Sequence, residues 1–205
     1  NVSDLQVGIT VNHSDNRITV VFRGSESWTD WYHDFIIWQK TLYSNVKVHY
    51  GMYKQLFKDY SFKIIQTEIK QLLEKYPDYA IFFTGHSLGG GLAIMASFLF
   101  ACDMPDTHVF CVSFAAPRVG NKHFKEAYTE LQNLTHIRTF TSKDVVPMFP
   151  VRGYHHVGLS LQLCKNEIKF NITSPSFFDK LWNFSQHSCN VYCERLFKNT
   201  LPVIT

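Results

Sequence analysis

Tyr79-Ala80-Ile81-Phe82-Phe83-Thr84-Gly85-His86-Ser87-Leu88-Gly89-Gly90 is the stretch on which the reading of this chain turns. Its first half is an apolar run of strand length, and residues 92–100 stay apolar for long enough to form a buried helix. Between them lies Gly-x-Ser-x-Gly, in the setting of a strand-turn-helix elbow. A turn this sharp leaves no room for side chains beside the serine, so Gly85 and Gly89 are the residues it requires. Ser87 is thereby pushed out above the sheet as a candidate nucleophile. The helix that starts there directs its free amides and the positive end of its dipole at the oxygen the serine attacks. The Leu88 amide is therefore a candidate oxyanion donor.

The chain has 205 residues, enough for one domain with a full core, and residues 1–205 are expected to form a single domain. Hydrophobic residues make up 45%, the content of a globular protein, which excludes disorder. A net charge of +3 with scattered Lys and Arg argues against a nucleic-acid partner. The longest apolar stretch is the elbow helix, too short to span a bilayer. No charged and apolar leader opens the chain, which is expected to be a mature or trimmed form. Five cysteines without C-x-x-C spacing fit neither a disulfide framework nor a zinc site. Cys102 and Cys111 could bridge a loop or remain thiols. Sequons at Asn1, Asn12, Asn133, Asn171 and Asn183 point to a secreted glycoprotein, with an intracellular soluble protein as the alternative.

Outward from the elbow, residues 5–11 and 17–22 flank a turn-forming segment and predict an opening hairpin. Residues 46–50 read as a strand. Residues 51–75 read as one long helix whose stripe holds Tyr53, Leu56, Phe57, Tyr60, Ile64, Ile65, Ile69, Leu72 and Leu73, ended by Pro77. Residues 108–114 and 134–140 read as strands, with a helix over 122–131 capped by Asn121 between them. A strand pair over 157–163 and 167–170 follows, and a closing helix carries Tyr192, Leu196 and Phe197 on one side. Trp28, Trp31, Tyr32 and Phe35 recur at helical spacing, while Phe35, Ile37 and Trp38 read as core.

Asp144 follows the end of the 134–140 strand, at the sheet edge that carries the elbow, where a partner carboxylate belongs. It would fix a histidine's tautomer and stabilise the imidazolium. His155, His156 and His187 come after it. A loop-borne His187 can reach Asp144 and Ser87 together, whereas His156 opens a strand and has less freedom. His187 with Cys189 and Cys193 lacks the fourth ligand and the spacing of a metal site.

Val21-Phe22-Arg23-Gly24-Ser25 with Ser27 and Asp30-Trp31, and Ala115-Ala116-Pro117-Arg118-Val119-Gly120-Asn121, carry a family resemblance. So do Asp144-Val145-Val146-Pro147, Gly153-Tyr154-His155-His156-Val157-Gly158, and His187-Ser188 followed by Tyr192. Together with the elbow they resemble the class 3 (fungal-type) triacylglycerol lipases. His49-Tyr50-Gly51-Met52 is similar to a packing stretch of that family. Ala115 replaces a usual Gly, a change a slightly wider turn would absorb, and Gln186 replaces a usual acid. Arg118 reads as a salt-bridging scaffold residue.

The resemblance implies an α/β-hydrolase fold: a mostly parallel central sheet with helices on both faces and a short helical lid. It implies Ser87, Asp144 and His187 as catalytic residues, and Ser25 with the Leu88 amide as oxyanion hole. Trp28, Trp31 and Tyr32 would form the lid. No metal or organic cofactor is called for. The implied substrate is a water-insoluble acylglycerol at a lipid-water interface, taken by a monomer. Phospholipase A1 and soluble or feruloyl-type esterase activities use the same machinery. A binding module without turnover is the alternative of another class. The family usually carries an extra helix and strand before the point where this chain begins, which bears on how one sheet edge is covered.

Overall fold

The computed structural model describes residues 5–24, 38–170 and 184–200. β1 (Val7–Asn12) and β2 (Arg17–Phe22) pair antiparallel, as the opening hairpin requires. β3 (Gln39–Tyr43) and β4 (Val46–His49) form a separate two-stranded sheet. Then come α1 (Tyr50–Phe57), α2 (Ser61–Lys75), β5 (Ala80–His86), α3 (Leu88–Asp103), β6 (Val109–Phe114) and α4 (Lys122–Glu130). β7 (Leu134–Phe140), β8 (Leu159–Leu163), β9 (Ile168–Phe170) and α5 (Cys189–Thr200) complete the described elements.

The main sheet has seven strands in the order β1-β2-β5-β6-β7-β8-β9. β2, β5, β6, β7 and β8 run parallel, and an antiparallel strand closes each edge. This is the mostly parallel, helix-flanked sheet of an α/β-hydrolase. Parallel strands need both faces covered, and β5 alternates fully and partly buried residues along its length. α3 packs on β2, β5 and β6 and lies beneath α1, so apolar residues all round it are buried. Phe22, Phe83, Phe98, Phe100, Met52 and Ile69 are among the largest side chains enclosed there.

Local order departs from the pattern in four places. The expected long helix is two helices, because Asp59 (φ 50°) and Tyr60 (φ 61°) adopt left-handed backbone between them. The break resets the helical phase. Phe62, Ile65 and Ile69 turn inward, while Phe57, Tyr60 and Ile64 are exposed. Trp38, read as core, is 70% exposed just before β3; Phe35 and Ile37 lie outside the described residues. β3 itself went unread because Gln39-Lys40-Thr41 lacks apolar alternation. On α5, Tyr192 is buried and Leu196 partly so, but Phe197 faces out.

The small sheet docks beside the elbow through short backbone links. The His49 amide donates to Val119 at 2.8 Å, and Val48 bridges Gly120. Asn121 caps α4 by accepting from the Phe124 amide at 2.9 Å and also accepts from the Lys47 amide at 3.1 Å. His49 caps α1, its Nδ1 accepting from Met52 at 3.3 Å, and is structural as expected. Ala115 has a left-handed φ of 53° and is fully buried, a conformation that costs an L-residue about 1–2 kcal/mol. Cys102 and Cys111 are both free thiols, the first exposed and the second buried. Burial pushes the Cys111 thiol up to about 12. Among the described residues no helix is long and apolar enough to cross a membrane.

Candidate active site

β5 ends at His86 and α3 begins at Leu88, so Ser87 alone makes the turn. Its backbone (φ 59°, ψ −128°) lies where non-glycine residues rarely sit. The close packing around it explains the neighbouring glycines. A Cβ on Gly85 would lie 2.4 Å from the Gly89 backbone, and one on Gly89 would lie 2.2 Å from the Phe22 carbonyl. The Ser87 amide donates to the Phe114 carbonyl at 2.9 Å, which ties the turn to the end of β6. Leu88 is buried and opens α3, so its amide belongs to the first turn, where amides have no intrahelical acceptor. A Cβ on Gly24 would lie 2.7 Å from the His86 carbonyl, so the chain after β2 runs hard against the elbow. Ser25 comes next in sequence and lies outside the described residues, as do Trp28, Trp31 and Tyr32.

Asp144 lies beyond the end of β7, almost fully buried, and collects three partners. Its Oδ1 accepts from the Val146 amide at 2.9 Å and its Oδ2 from the Tyr192 hydroxyl at 2.6 Å. His187 Nδ1 lies 3.0 and 2.9 Å from the two carboxylate oxygens. A nitrogen facing a carboxylate carries the proton, so Nε2 is the basic atom of His187. His187 ends a short 3₁₀ turn (Phe184–His187) just before α5, and is 5% exposed. The ring of His86 lies against it, tilted by 40° with centroids 4.6 Å apart, and meets Tyr192 edge-on at 5.5 Å. Ser87's own neighbour in the chain therefore touches His187, which brings the elbow and the His187–Asp144 pair together. Burial first, and then the His187 ring, lower the pKa of His86 to about 4, so it is a neutral neighbour.

His156 is engaged elsewhere: its Nε2 donates to the Pro147 carbonyl at 2.6 Å. Arg118 forms no salt bridge among the described residues. Its guanidinium donates instead to the Met148 carbonyl and, at 2.8 Å, to that of Pro150, clamping the loop after Asp144. Among the described residues no cluster of His, Cys, Asp and Glu could hold a metal ion.

The sequence profile of the family described as lipase (class 3) matches residues 19–154. The chain belongs to the class 3 lipases. Phospholipase A1-II 4 of Oryza sativa subsp. japonica is 39% identical to it over 103 residues, 47% of this chain and 26% of the relative. A lipase of Rhizomucor miehei is 29% identical over 164 residues, 77% of this chain and 44% of that protein. The chain thus spans less than half the length of these curated relatives. A triacylglycerol lipase from Penicillium expansum superposes with a TM-score of 0.71 at 28% identity, covering 78% of this chain and 65% of its own.

Two residues of this class 3 lipase site carry no functional signal of their own in the sequence. Tyr192 reads there as a packing residue, yet its hydroxyl holds Asp144 and accepts from the Thr141 amide at 3.1 Å. Its phenol is raised well above its ordinary value, by burial and then by the Asp144 charge. His86 is an unspecified position of the elbow motif. Only the fold sets either beside His187. Tyr192→Phe removes one donor from the carboxylate, and a hydrogen bond to a charged group contributes about 1.5–3 kcal/mol. A kcat loss of roughly ten-fold at unchanged KM is expected from steady-state kinetics. A kcat within two-fold of the parent would show that this bond does not matter to turnover.

The buried imidazoles also predict how the class 3 lipase fold responds to acid. His86 is held near 4, and His136 is lowered to about 3 by burial and the Arg138 charge. Histidines of the unfolded chain titrate near ~6.5, so below that pH the unfolded state binds more protons than the native one. Stability is therefore full above about 6.5 and falls as the pH drops toward 4. Thermal unfolding midpoints measured from pH 7.5 to 4.5 should decline steadily, and His136→Asn should flatten the decline. A midpoint constant across that range would contradict the assignment.

Proposed function

We propose that this class 3 lipase is a serine carboxylic-ester hydrolase that cleaves water-insoluble acylglycerols. The observation that carries the reading is the His187–Asp144 pair, at 2.9 Å, set against the elbow that bears Ser87. Ser87 Oγ attacks the ester carbonyl carbon while His187 Nε2 takes the hydroxyl proton. The carbonyl oxygen becomes an oxyanion held by the Leu88 amide and by Ser25. Collapse of the tetrahedral intermediate breaks the ester C–O bond, and His187 returns the proton to the departing alcohol. A water activated by His187 then attacks the acyl-Ser87, releasing the fatty acid and restoring the serine. Asp144 keeps His187 in the reactive tautomer and offsets the imidazolium charge throughout.

Two further observations support a lipid substrate. Ser87, Asp144 and His187 are 3%, 1% and 5% exposed, so a bulky ester reaches the serine only once the site opens. Trp28, Trp31 and Tyr32, joining apolar rings to polar tips, suit a cover that opens at a lipid surface. The uninterrupted seven-stranded sheet supports reading the chain as one domain. Secretion as a glycoprotein is supported by the five sequons, of which Asn12 ends β1 half-buried and donates its Nδ2 to Asp15 at 2.9 Å. Asn133 is a poor acceptor: its Nδ2 donates to the carbonyls of Ala101, Met104 and Thr107 at 3.0, 3.0 and 3.1 Å. A glycan there would sever those bonds.

Phospholipase A1 activity is the second reading, favoured by the 39% identity to the rice enzyme of that name. The test is hydrolysis of emulsified long-chain triacylglycerol, phosphatidylcholine vesicles and a soluble short-chain ester. A rate on triacylglycerol that jumps once the substrate forms an interface is expected. Turnover of phosphatidylcholine alone would favour the second reading, turnover of the soluble ester alone an esterase, and turnover of none a binding module.

A further inference from the structure

Apart from the Ser87 site, a second cavity of about 750 Å³ opens between α4 and the β7–β8 side of the sheet. That volume falls within the ~300–1,000 Å³ of small-molecule sites. Its wall holds Arg118, Lys125, Arg138, His136, His155 and His156, and no Asp or Glu among the described residues. Three of these, Arg118, Lys125 and Arg138, carry positive charge, and their common field favours an anion in the space. Arg118 spends its hydrogen bonds on the neutral carbonyls of Met148 and Pro150, so its charge is not cancelled by them. Arg138 is 2% exposed, donates to Ser160 Oγ at 2.7 Å, and lies over the Phe140 ring at 4.5 Å. The two guanidiniums sense each other: the Arg118 charge helps lower Arg138 to about 10, after burial. Burial first, and then the charges of Arg138 and Arg118, push His156 far down, and burial first, and then Lys125 and Arg118, lower His155. His136 Nδ1, buried in the wall, has no hydrogen-bond partner among the described residues. Its Nε2 meets the Ser113 hydroxyl at 2.9 Å, so a donating Ser113 leaves Nδ1–H available to an acceptor. At the mouth, Glu126 is engaged by Lys122 at 3.5 Å and His123 at 3.2 Å, which leaves exposed Lys125 facing the opening.

We propose that this cavity binds a phosphate-bearing ligand, gripped by Arg118 and Arg138 with Lys125 at the entrance. Guanidinium forks match the geometry of phosphate oxygens, and a dianion answers several positive groups at once. The volume beyond the phosphate accommodates a small organic group, as in a glycerol phosphate or the headgroup of an anionic lipid. Ser87, Asp144 and His187 are not in its lining, so it is separate from the serine.

Isothermal titration of the whole chain with inorganic phosphate and glycerol 3-phosphate tests the proposal. Flotation with phosphatidylcholine vesicles, with and without phosphatidic acid, adds the lipid arm. Binding to either soluble probe, or to phosphatidic acid vesicles alone, supports it, the first as a soluble ester site and the second as a headgroup site. Ser160→Glu puts a carboxylate beside Arg138 and should abolish binding while the unfolding temperature holds or rises. Lys125→Glu, a change on an exposed position, should weaken binding at least about ten-fold, as expected for reversing one charge several Å from a dianion. Both variants should keep soluble-ester hydrolysis, because neither residue belongs to the elbow or to the His187–Asp144 pair. No binding to any probe, or binding that neither substitution changes, would overturn the proposal. Binding is read without turnover, so this outcome is independent of the ester-hydrolase reading.

Discussion

His187→Ala and Ser87→Ala each abolish ester hydrolysis while the protein stays folded, whereas His156→Ala keeps turnover and loses stability. Removing a triad serine or histidine lowers kcat by about 10⁶, since the remaining groups cannot act alone. Asp144 would orient nothing in His187→Ala, although Tyr192 and Val146 still satisfy its oxygens at 2.6 and 2.9 Å, so the fold survives. His156 has the opposite character. Its ring nitrogen serves the Pro147 carbonyl at 2.6 Å, in the loop that follows Asp144. Truncating it leaves that acceptor unpaired and a void beside it, at a cost of about 1–3 kcal/mol. Initial rates on a soluble ester, set beside thermal unfolding for all three variants, separate the roles. Turnover surviving in His187→Ala and lost in His156→Ala would reverse the assignment of the base.

Gly89→Ala should prevent folding. The added Cβ would lie 2.2 Å from the Phe22 carbonyl oxygen and 2.9 Å from the Arg23 carbonyl carbon, and both obstacles are backbone in the strand end against the elbow. Neither can rotate away, so β2 or α3 must shift, and losses above ~4 kcal/mol arise from conflicts of this kind. Gly91→Ala provides the contrast, two residues further along the same helix. Its Cβ would meet Met52 Cε at 2.9 Å and Sδ at 3.0 Å, the far end of a flexible side chain. There the helical preference of Ala over Gly, about 1 kcal/mol, offsets the repacking. Soluble yield and unfolding temperature should collapse for the first variant and stay near the parent for the second. Equal behaviour of the two would mean that the elbow is not as tightly packed as it is described.

Strand and helix positions were legible wherever a residue's surroundings are made by near neighbours in the chain. Residues 134–140 alternate as a strand and form one with those bounds. Asn121 caps α4 because its side chain needs only to reach three residues ahead. The reading of one helix over 51–75 failed because helical periodicity continues in register across Asp59 and Tyr60. Nothing in their side chains announces left-handed backbone.

By itself the sequence determined the elbow, its flanking strand and helix, and hence a parallel sheet carrying Ser87 at its edge. The physical reason is local, since a one-residue turn admits only glycine at Gly85 and Gly89. The sequence and its resemblance pointed to His187 as the partner of Asp144, and only the tertiary structure supplied the contact itself. His187 is 43 residues away in the chain and His156 only 12, yet the nearer ring bonds Pro147 and the farther one bonds the carboxylate. It also brought Tyr192 onto Asp144, His86 onto His187, and Arg118 and Arg138 into one cavity. Such contacts depend on how β7, the loop after it and α5 pack together, and no periodicity or spacing in the chain encodes that distance.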